Sequence, residues 1–304
     1  MTTAVFLRLA LAANALFSLS CAALMLLRPS LVSSWLDVHV SLILQVVGVG
    51  LAIFAVDLLH QATRHRMATW RALYASAADF LWVMGSVILL GLFPNGLSNF
   101  GNGLVIVVAA IVLMFGVWQV WAIAKAHQPQ GTDEYRHCIV VETNAPADAM
   151  WRIVSRLGAI KNYMPSLKNS MILDGRSPGI GAVRLCENHA GKRWAEQCTE
   201  FKDGHSFTVR FLSEAPDFPF PAKMMRGGWN VSPTRHGSQV MVWWELVPKQ
   251  RWLAPIILPL LGFQADQDFP QIIQRMAADA LERNPEAFKQ TSAGAIARLL
   301  PKFC

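Results

Sequence analysis

Glu196 lies in the stretch RWAEQCTEF, where strand alternation puts Trp194, Glu196 and Cys198 on one face. A carboxyl group on the inward face of a sheet has two chemistries open to it. With its pKa raised by burial it can act as a general acid or base. Together with a polar partner such as Arg184 it becomes one of the few groups that fix the orientation of an apolar ligand. A surface salt bridge accounts for Arg184 and Glu196 equally well. No other constellation competes. There is no G-x-S-x-G, H-E-x-x-H or P-loop, and the GIG at 179–181 lacks the further glycine and helix of a nucleotide fingerprint. His189, His205 and His236 all fall in predicted turns, where solvated side chains are the rule. Five cysteines without a C-x-x-C pair give neither a disulfide framework nor a zinc site. Cys138, Cys186 and Cys198 sit in predicted strands as small buried thiols, and Cys21 sits in an apolar run. No metal and no cofactor is expected.

A second set of polar groups, Asn14, Asp57 and Asp79, stands inside long apolar runs, where an ionisable side chain costs several kcal/mol unless it finds a partner or water. One reading makes them a proton or cation relay, with the apolar runs as the working part of a transporter. The other has Asp57 reaching an interface and Asp79 bonding Asn14, Arg8 or a hydroxyl on a neighbouring helix. Nothing in the sequence resembles the inverted repeats or broken helices of transporters, which favours the second.

The elements that must position these groups divide the chain. Of the 304 residues 53% are hydrophobic and only 15% charged, low for a wholly soluble protein. Residues 1–130 hold six Lys/Arg and three acids, whereas 131–304 hold 21 and 17. The net charge of +7 is therefore spread over both parts, too thinly for nucleic acid, and at most favours anionic lipid headgroups.

Four apolar runs at about 4–27, 38–59, 72–93 and 103–124 are long enough to cross a bilayer. The first has only Arg8 as a charged flank and no clear small-x-small site, so it reads as a span rather than a signal peptide. Arg64, Arg66 and Arg71 lie between the second and third runs, and no charge lies in PNGLSNFGN between the third and fourth. The positive-inside rule then places both termini in the cytoplasm, with Trp35, Trp70, Trp118 and Trp121 near the interfaces. Through LRLALAANALFSL and AADFLWVMGS this part loosely resembles uncharacterised four-span bacterial membrane proteins, a likeness that implies a bacterial inner membrane but no activity.

Beyond the polar linker PQGTDEYR the pattern changes to strand-like runs separated by Gly, Pro, Asn and Asp. HCIVVET is a first strand. The helix APADAMWRIVSRL follows, with Asn144 as its cap, Pro146 in its first turn and Met150, Ile153, Val154 and Leu157 on one face. Six runs then form a meander: NSMILDG, GAVRLCEN, KRWAEQCTEF, HSFTVRFLSE, AKMMRGGWNVSP and SQVMVWWELVPK. In the last, Val240, Val242, Trp244 and Leu246 share a face. A helix is expected from near Asp266, with Ile272, Ile273, Met276, Ala280 and Leu281 on one side, and a second amphipathic helical piece, EAFKQTSAGAIARLL, after Asn284-Pro285.

The segments VETNAPADAMWRIVSRLGAIKNYMP, GIGAVRL, RWAEQCTEFKDG and GGWNVSPTRHGSQVMVWWELVPK, in this order and spacing, resemble the START-like superfamily, which includes Bet v 1 relatives, polyketide cyclase/dehydrase-like proteins and ubiquinone-binding members. The likeness covers about 137–283. It implies an α+β helix-grip domain at 131–304, a curved antiparallel sheet around a long C-terminal helix with a cavity between them, attached to a four-helix transmembrane bundle at 1–127. Arg184, Trp194, Glu196, Phe207, Val209, Met225, Trp229 and Trp244 are the residues expected at the ligand, although any of the apolar ones serves equally as core.

Between the last strand and the C-terminal helix, RWLAPIILPLLGF is too short and too proline-rich to span a bilayer. It reads as an apolar loop, either a lid on the cavity or a finger in the membrane surface, with Trp252, Ile256, Ile257, Leu260 and Leu261 in contact with lipid, or else as core. The expected function is membrane-anchored binding or shuttling of a lipid, isoprenoid quinone or other hydrophobic small molecule, the spans holding the pocket near a membrane-dissolved ligand. The alternative is a polyketide cyclase/dehydratase-like enzyme with Glu196 as its acid or base.

Overall fold

The computed structural model of the protein describes residues 4–39, 41–64, 67–129, 131–175, 177–282 and 295–300. By its internal packing the chain divides into Met1–Gln130 and Gly131–Cys304.

The first unit consists of α1 (Val5–Leu27), a short α2 (Pro29–Leu36), α3 (Ser41–Thr63), α4 (Thr69–Leu92) and α5 (Asn99–His127). The four long helices are long and apolar enough to cross a membrane. Their outward faces carry Leu42, Ile53, Leu81 and Val87, and their contacts use Ala10, Ala15, Ala55, Ala75 and Ala122. Small residues let apolar helices approach closely where lipid gives no hydrophobic drive for association. The sequence pattern did not reveal α2. Pro29 suits its first turn, and Asp37, in the left-handed region at φ 59°, ends it.

Asp57 and Asp79 both have partners within this unit. Asp57 meets Arg71 and accepts from Gln61. Arg8 donates to the carbonyls of Ala62 and Arg64 at the end of α3, where helical carbonyls lack partners, rather than to Asp79. Asp79 accepts from Asn14 as expected, and also from Gln119. Of the basic connection between α3 and α4, Arg66 lies outside the described residues.

The second unit opens with β1 (Tyr135–Thr143), α6 (Ala147–Val154) and a 3₁₀ turn at Leu157–Asn162. Then come β2 (Leu167–Ile172), β3 (Val183–Asn188), β4 (Arg193–Lys202), β5 (Ser206–Phe211), β6 (Ala222–Thr234) and β7 (Gly237–Pro248), and last α7 (Ala254–Glu282) and β8 (Ala297–Leu299). The strands form one antiparallel sheet in the order β2-β3-β4-β5-β6-β7-β1-β8. Register shifts at Leu167/Asn169, Cys198/Glu200 and Ala222/Met224 bend it, as bulges do. Its concave face presents Ile139, Val141, Phe207, Val209, Val231, Val240 and Val242 to Ile272, Ile273, Met276 and Ala280 of α7, all buried. Each fully buried aliphatic side chain stabilises by about 1.5–3 kcal/mol, so this seam holds helix to sheet. A curved antiparallel sheet closed on a long C-terminal helix is the helix-grip arrangement.

Four local expectations are corrected. The stretch 251–263 is not a loop: after a 3₁₀ turn at Arg251–Leu253 it forms the first turns of α7, which begins at Ala254 rather than near Asp266. Pro255 sits where a helix needs no N–H donor. Pro259 removes one interior bond, and buried Ala254, Leu258 and Ala265 continue the inward face of the helix across it. Residues 297–299 of the expected amphipathic helical piece form β8, which pairs with Val141–Thr143 at an otherwise open edge; 286–294 lie outside the described residues. Asn144 does not cap α6. Pro146 stands at that position, and Asn144 Oδ1 accepts from Ile296 N instead. Cys138 is disulfide-bonded rather than a free thiol.

Gly228 and Gly262 permit close approach of neighbouring rings. A Cβ on Gly228 would meet the Trp243 indole at 2.7 Å, and one on Gly262 would meet the His137 ring at 3.0 Å, where α7 crosses β1.

Candidate functional site

Strand alternation turns Arg184 of β3 and Glu196 of β4 to the same concave face, and the register sets them opposite each other. Both are buried, with side chains 9% and 5% exposed, and they form an ion pair. Arg184 Nε donates to Glu196 Oε2 at 3.1 Å, and Nη1 donates to the Leu157 carbonyl at 3.0 Å. Trp194 Nε1 donates to Glu196 Oε1 at 2.7 Å, and Cys186 Sγ lies 4.0 Å from that oxygen. The pair is neutral as a unit and both carboxylate oxygens are engaged. It is therefore neither the surface salt bridge nor the unpaired acid of the alternative readings.

Burial is the largest influence on Arg184 and opposes its charge, but Glu196 and Cys186 together outweigh it and hold the guanidinium above its ordinary value. Burial, followed by the same carboxylate, pushes the Cys186 thiol up to about 12. This end of the cavity wall thus holds a fixed dipole and a protonated thiol.

The pair lines a cavity of about 480 Å³ between the sheet and α7. Apart from Ser166, Arg184, Cys186, Asn188, Lys192 and Glu196, its lining is carbon-rich, including Met164, Phe211, Trp229, Val242 and Phe269. Exposed Ser166 and Lys192 stand at its rim. A space of this size and character suits an apolar molecule oriented by a few polar atoms.

Of the residues read from the sequence, Arg184, Trp194, Glu196, Val209, Met225, Trp229 and Trp244 all line this cavity. Phe207 lies behind them, stacked on Trp229 with ring centroids 6.5 Å apart. The sequence reading omitted Phe211, Phe220 and Phe269. Phe269 falls at helical spacing before Ile272 and Met276, and Phe211 alternates with Phe207 and Val209, so both were legible. Phe220, which packs edge-on against Trp194 at 5.3 Å, sits in a loop whose course has no periodic signal. His189 and His205 lie in turns, as does His236, and none of them lines the cavity.

Trp252, Ile256 and Leu260 are exposed, Ile257 and Leu261 are half-buried, and Phe263 extends the exposed face one turn further along α7.

Residues 138–283 match the family model described as polyketide cyclase / dehydrase and lipid transport. No curated protein matches the chain. Among solved structures it is similar to a norcoclaurine synthase point mutant from Thalictrum flavum in complex with a transition-state analogue, at 18% identity over 49% of this chain and 94% of that one, TM-score 0.39. It is similar to a Thermobifida fusca protein at 22% identity over 48% and 93%, TM-score 0.38. It is also similar to the Zhui aromatase/cyclase of Streptomyces sp. R1128, at 17% over 53% and 98%, TM-score 0.38. Likenesses this distant carry no functional inference. Residues 138–283 thus form a helix-grip domain that is similar to the polyketide cyclase / dehydrase and lipid transport family.

Proposed function

We propose that this protein is a membrane-anchored binder of a hydrophobic molecule, a lipid or an isoprenoid quinone, which its C-terminal domain exchanges with the bilayer. The observation that carries this reading is the 480 Å³ cavity with carbon-rich walls and an internally neutralised Arg184–Glu196 pair. Such a pair attracts no free ion strongly, but its dipole and the Trp194 indole orient a carbonyl or hydroxyl on an otherwise apolar ligand. Arg184, Trp194, Glu196, Val209, Met225, Trp229 and Trp244 contact that ligand, and Phe207 supports Trp229 from behind.

Residues 1–127 anchor the domain at 131–304. Arg64 just after α3 and Arg71 in the first turn of α4, against an uncharged connection between α4 and α5, support cytoplasmic termini in a bacterial-type inner membrane. The apolar start of α7 supports transfer: Trp252, Ile256 and Leu260, flanked by Ile257 and Leu261, enter the membrane surface. An enzyme using Glu196 as its acid or base needs a carboxyl free to exchange a proton, and Arg184 and Trp194 hold both of its oxygens.

The test is purification of the full chain from a bacterial host, followed by solvent extraction and mass spectrometry, beside a Val209→Trp variant that fills the cavity. A stoichiometric apolar molecule in the wild type, lost in the variant, is expected. Equal recovery from both, or no uptake by the wild type from phosphatidylcholine vesicles carrying quinone, would overturn the proposal.

A further inference from the structure

In the membrane-spanning unit, α1, α3, α4 and α5 line a second cavity of about 330 Å³, open on one side. Its walls include Phe17, Leu51, Phe54, Trp82 and Val112, with Asp79 the one acidic group among them. Asp79 is 3% exposed. Asn14 Nδ2 and Gln119 Nε2 both donate to Oδ2, at 2.8 and 2.9 Å. Ser18 Oγ donates to Asn14 Oδ1 at 3.2 Å and so sets the orientation of that amide, while Ser76 Oγ donates to the Ala72 carbonyl at 3.0 Å and lies 3.5 Å from Gln119 Oε1. The other oxygen, Oδ1, has no hydrogen-bond partner among the described residues.

A buried carboxyl group in hydrocarbon is costly, and a network satisfied on one oxygen but not the other leaves an acceptor for something else. Simple structural pairing accounts for Oδ2 and not for Oδ1. We infer that this cavity binds an apolar, membrane-soluble molecule carrying one hydrogen-bond donor, a hydroxyl or an ammonium, which donates to Asp79 Oδ1. Gly50 contributes space as well. This glycine is exposed and a Cβ there would meet no atom within 4 Å, so it marks the open side of the cavity, where a larger side chain can stand. This site is independent of the C-terminal cavity and does not rest on its function.

The test uses the full chain in phosphatidylcholine nanodiscs with three medium-chain diazirine probes that differ only in the head group: alcohol, amine and methyl ether. Crosslinks to Met25 and Trp82 on the cavity wall are normalised to those on outward-facing Leu42, which corrects for partition into lipid. A hydrogen bond to the unpartnered carboxyl oxygen predicts that a donor-bearing probe labels the cavity about fivefold or more above the ether. Labelling by the amine alone identifies an ammonium, and labelling by both identifies any donor; either supports the inference. Asp79→Asn supplies a sharper readout. Its oxygen is held by Asn14 and Gln119, so its own N–H₂ faces the cavity, and the preference for alcohol and amine over ether should be lost, since alcohol and ether oxygens accept from it alike. Gly50→Phe should remove cavity labelling by every probe while Leu42 labelling stays unchanged. Equal labelling by alcohol, amine and ether in the wild type, an unchanged order in Asp79→Asn, or persistent labelling in Gly50→Phe would each overturn the inference.

Discussion

Trp194 donates its indole N–H to Glu196 Oε1 at 2.7 Å, two residues away on the same face of β4, while Arg184 across the ladder holds Oε2. One strand thus supplies both an aromatic wall and a fixed acceptor, and the neighbouring strand supplies the counter-charge. Because the pair is buried, removing one partner strands the other. Glu196→Gln should cost about 3–5 kcal/mol of stability, and the double change Arg184→Met/Glu196→Gln should recover much of it. Thermal melting of the full chain followed by tryptophan fluorescence decides this. A double variant no more stable than the single one would show that the ion pair is not what Arg184 contributes.

Cys186 lies against the same carboxylate, and burial together with Glu196 raises its pKa from 9.0 to about 12. Thiolate is the reactive form, so at pH 8 iodoacetamide should modify native Cys186 roughly a thousandfold more slowly than an unperturbed thiol. The raised folded-state value also fixes the sign of the effect on stability. The contribution is fully present below pH 9 and is lost as pH rises through about 12, because only the unfolded thiol ionises in that window. In Cys186→Ala this share of the alkaline loss should vanish. Peptide mapping of alkylation and melting curves against pH check the two halves separately.

Gly228 and Trp243 pack so closely across the β6–β7 ladder that a methyl group would fall 2.7 Å from the indole. Gly228→Ala forces the ring or the strand to move, at a cost of about 1–3 kcal/mol. The expected signs are a lower melting temperature and a shifted tryptophan emission maximum. An unchanged melt would mean that Trp243 has another rotamer of equal energy available.

What could be read from the sequence follows from which signals were periodic. The alternation around Trp194, Glu196 and Cys198 and in Val240, Val242, Trp244 and Leu246 gave the concave face correctly, because side chains on a strand must alternate. Length and hydropathy gave the four apolar helices. The start of α7 is not legible in the sequence because Pro255 and Pro259 read as helix breakers, although one falls in the first turn and the buried face of a 29-residue helix carries the other. β8 was missed because a three-residue strand is defined by the edge it covers rather than by its own pattern. Gln119 escaped notice as a partner of Asp79 because, being neutral, it raises no alarm in an apolar helix, and only packing brings α4 and α5 together there.

The start of α7 has two faces with opposite partners. Ala254 and Leu258 are fully buried, and Gly262 abuts His137 of β1. Trp252, Ile256 and Leu260 on the other side are 73%, 43% and 54% exposed. No charged residue occurs from 252 to 264, and Lys249 and Arg251 stand just before it, the arrangement of an interfacial segment with basic residues at headgroup level. Solvent-facing positions tolerate charge, so Ile256→Glu/Leu260→Glu should change stability by no more than about 0.5 kcal/mol per site. If this face enters the bilayer, each substitution removes an aliphatic side chain whose burial there would contribute about 1.5–3 kcal/mol. If ligand passes between cavity and bilayer beside this face, its transfer from vesicles carrying a pyrene-labelled lipid should slow by roughly tenfold or more. Equilibrium occupancy of the cavity should stay the same, since neither Ile256 nor Leu260 lines it. Stopped-flow fluorescence gives the rate and the melting curve gives the control. A wild-type rate in a variant of unchanged stability would rule out this face as the membrane contact, whereas a fall in melting temperature of several degrees would mean that these side chains pack against the chain itself.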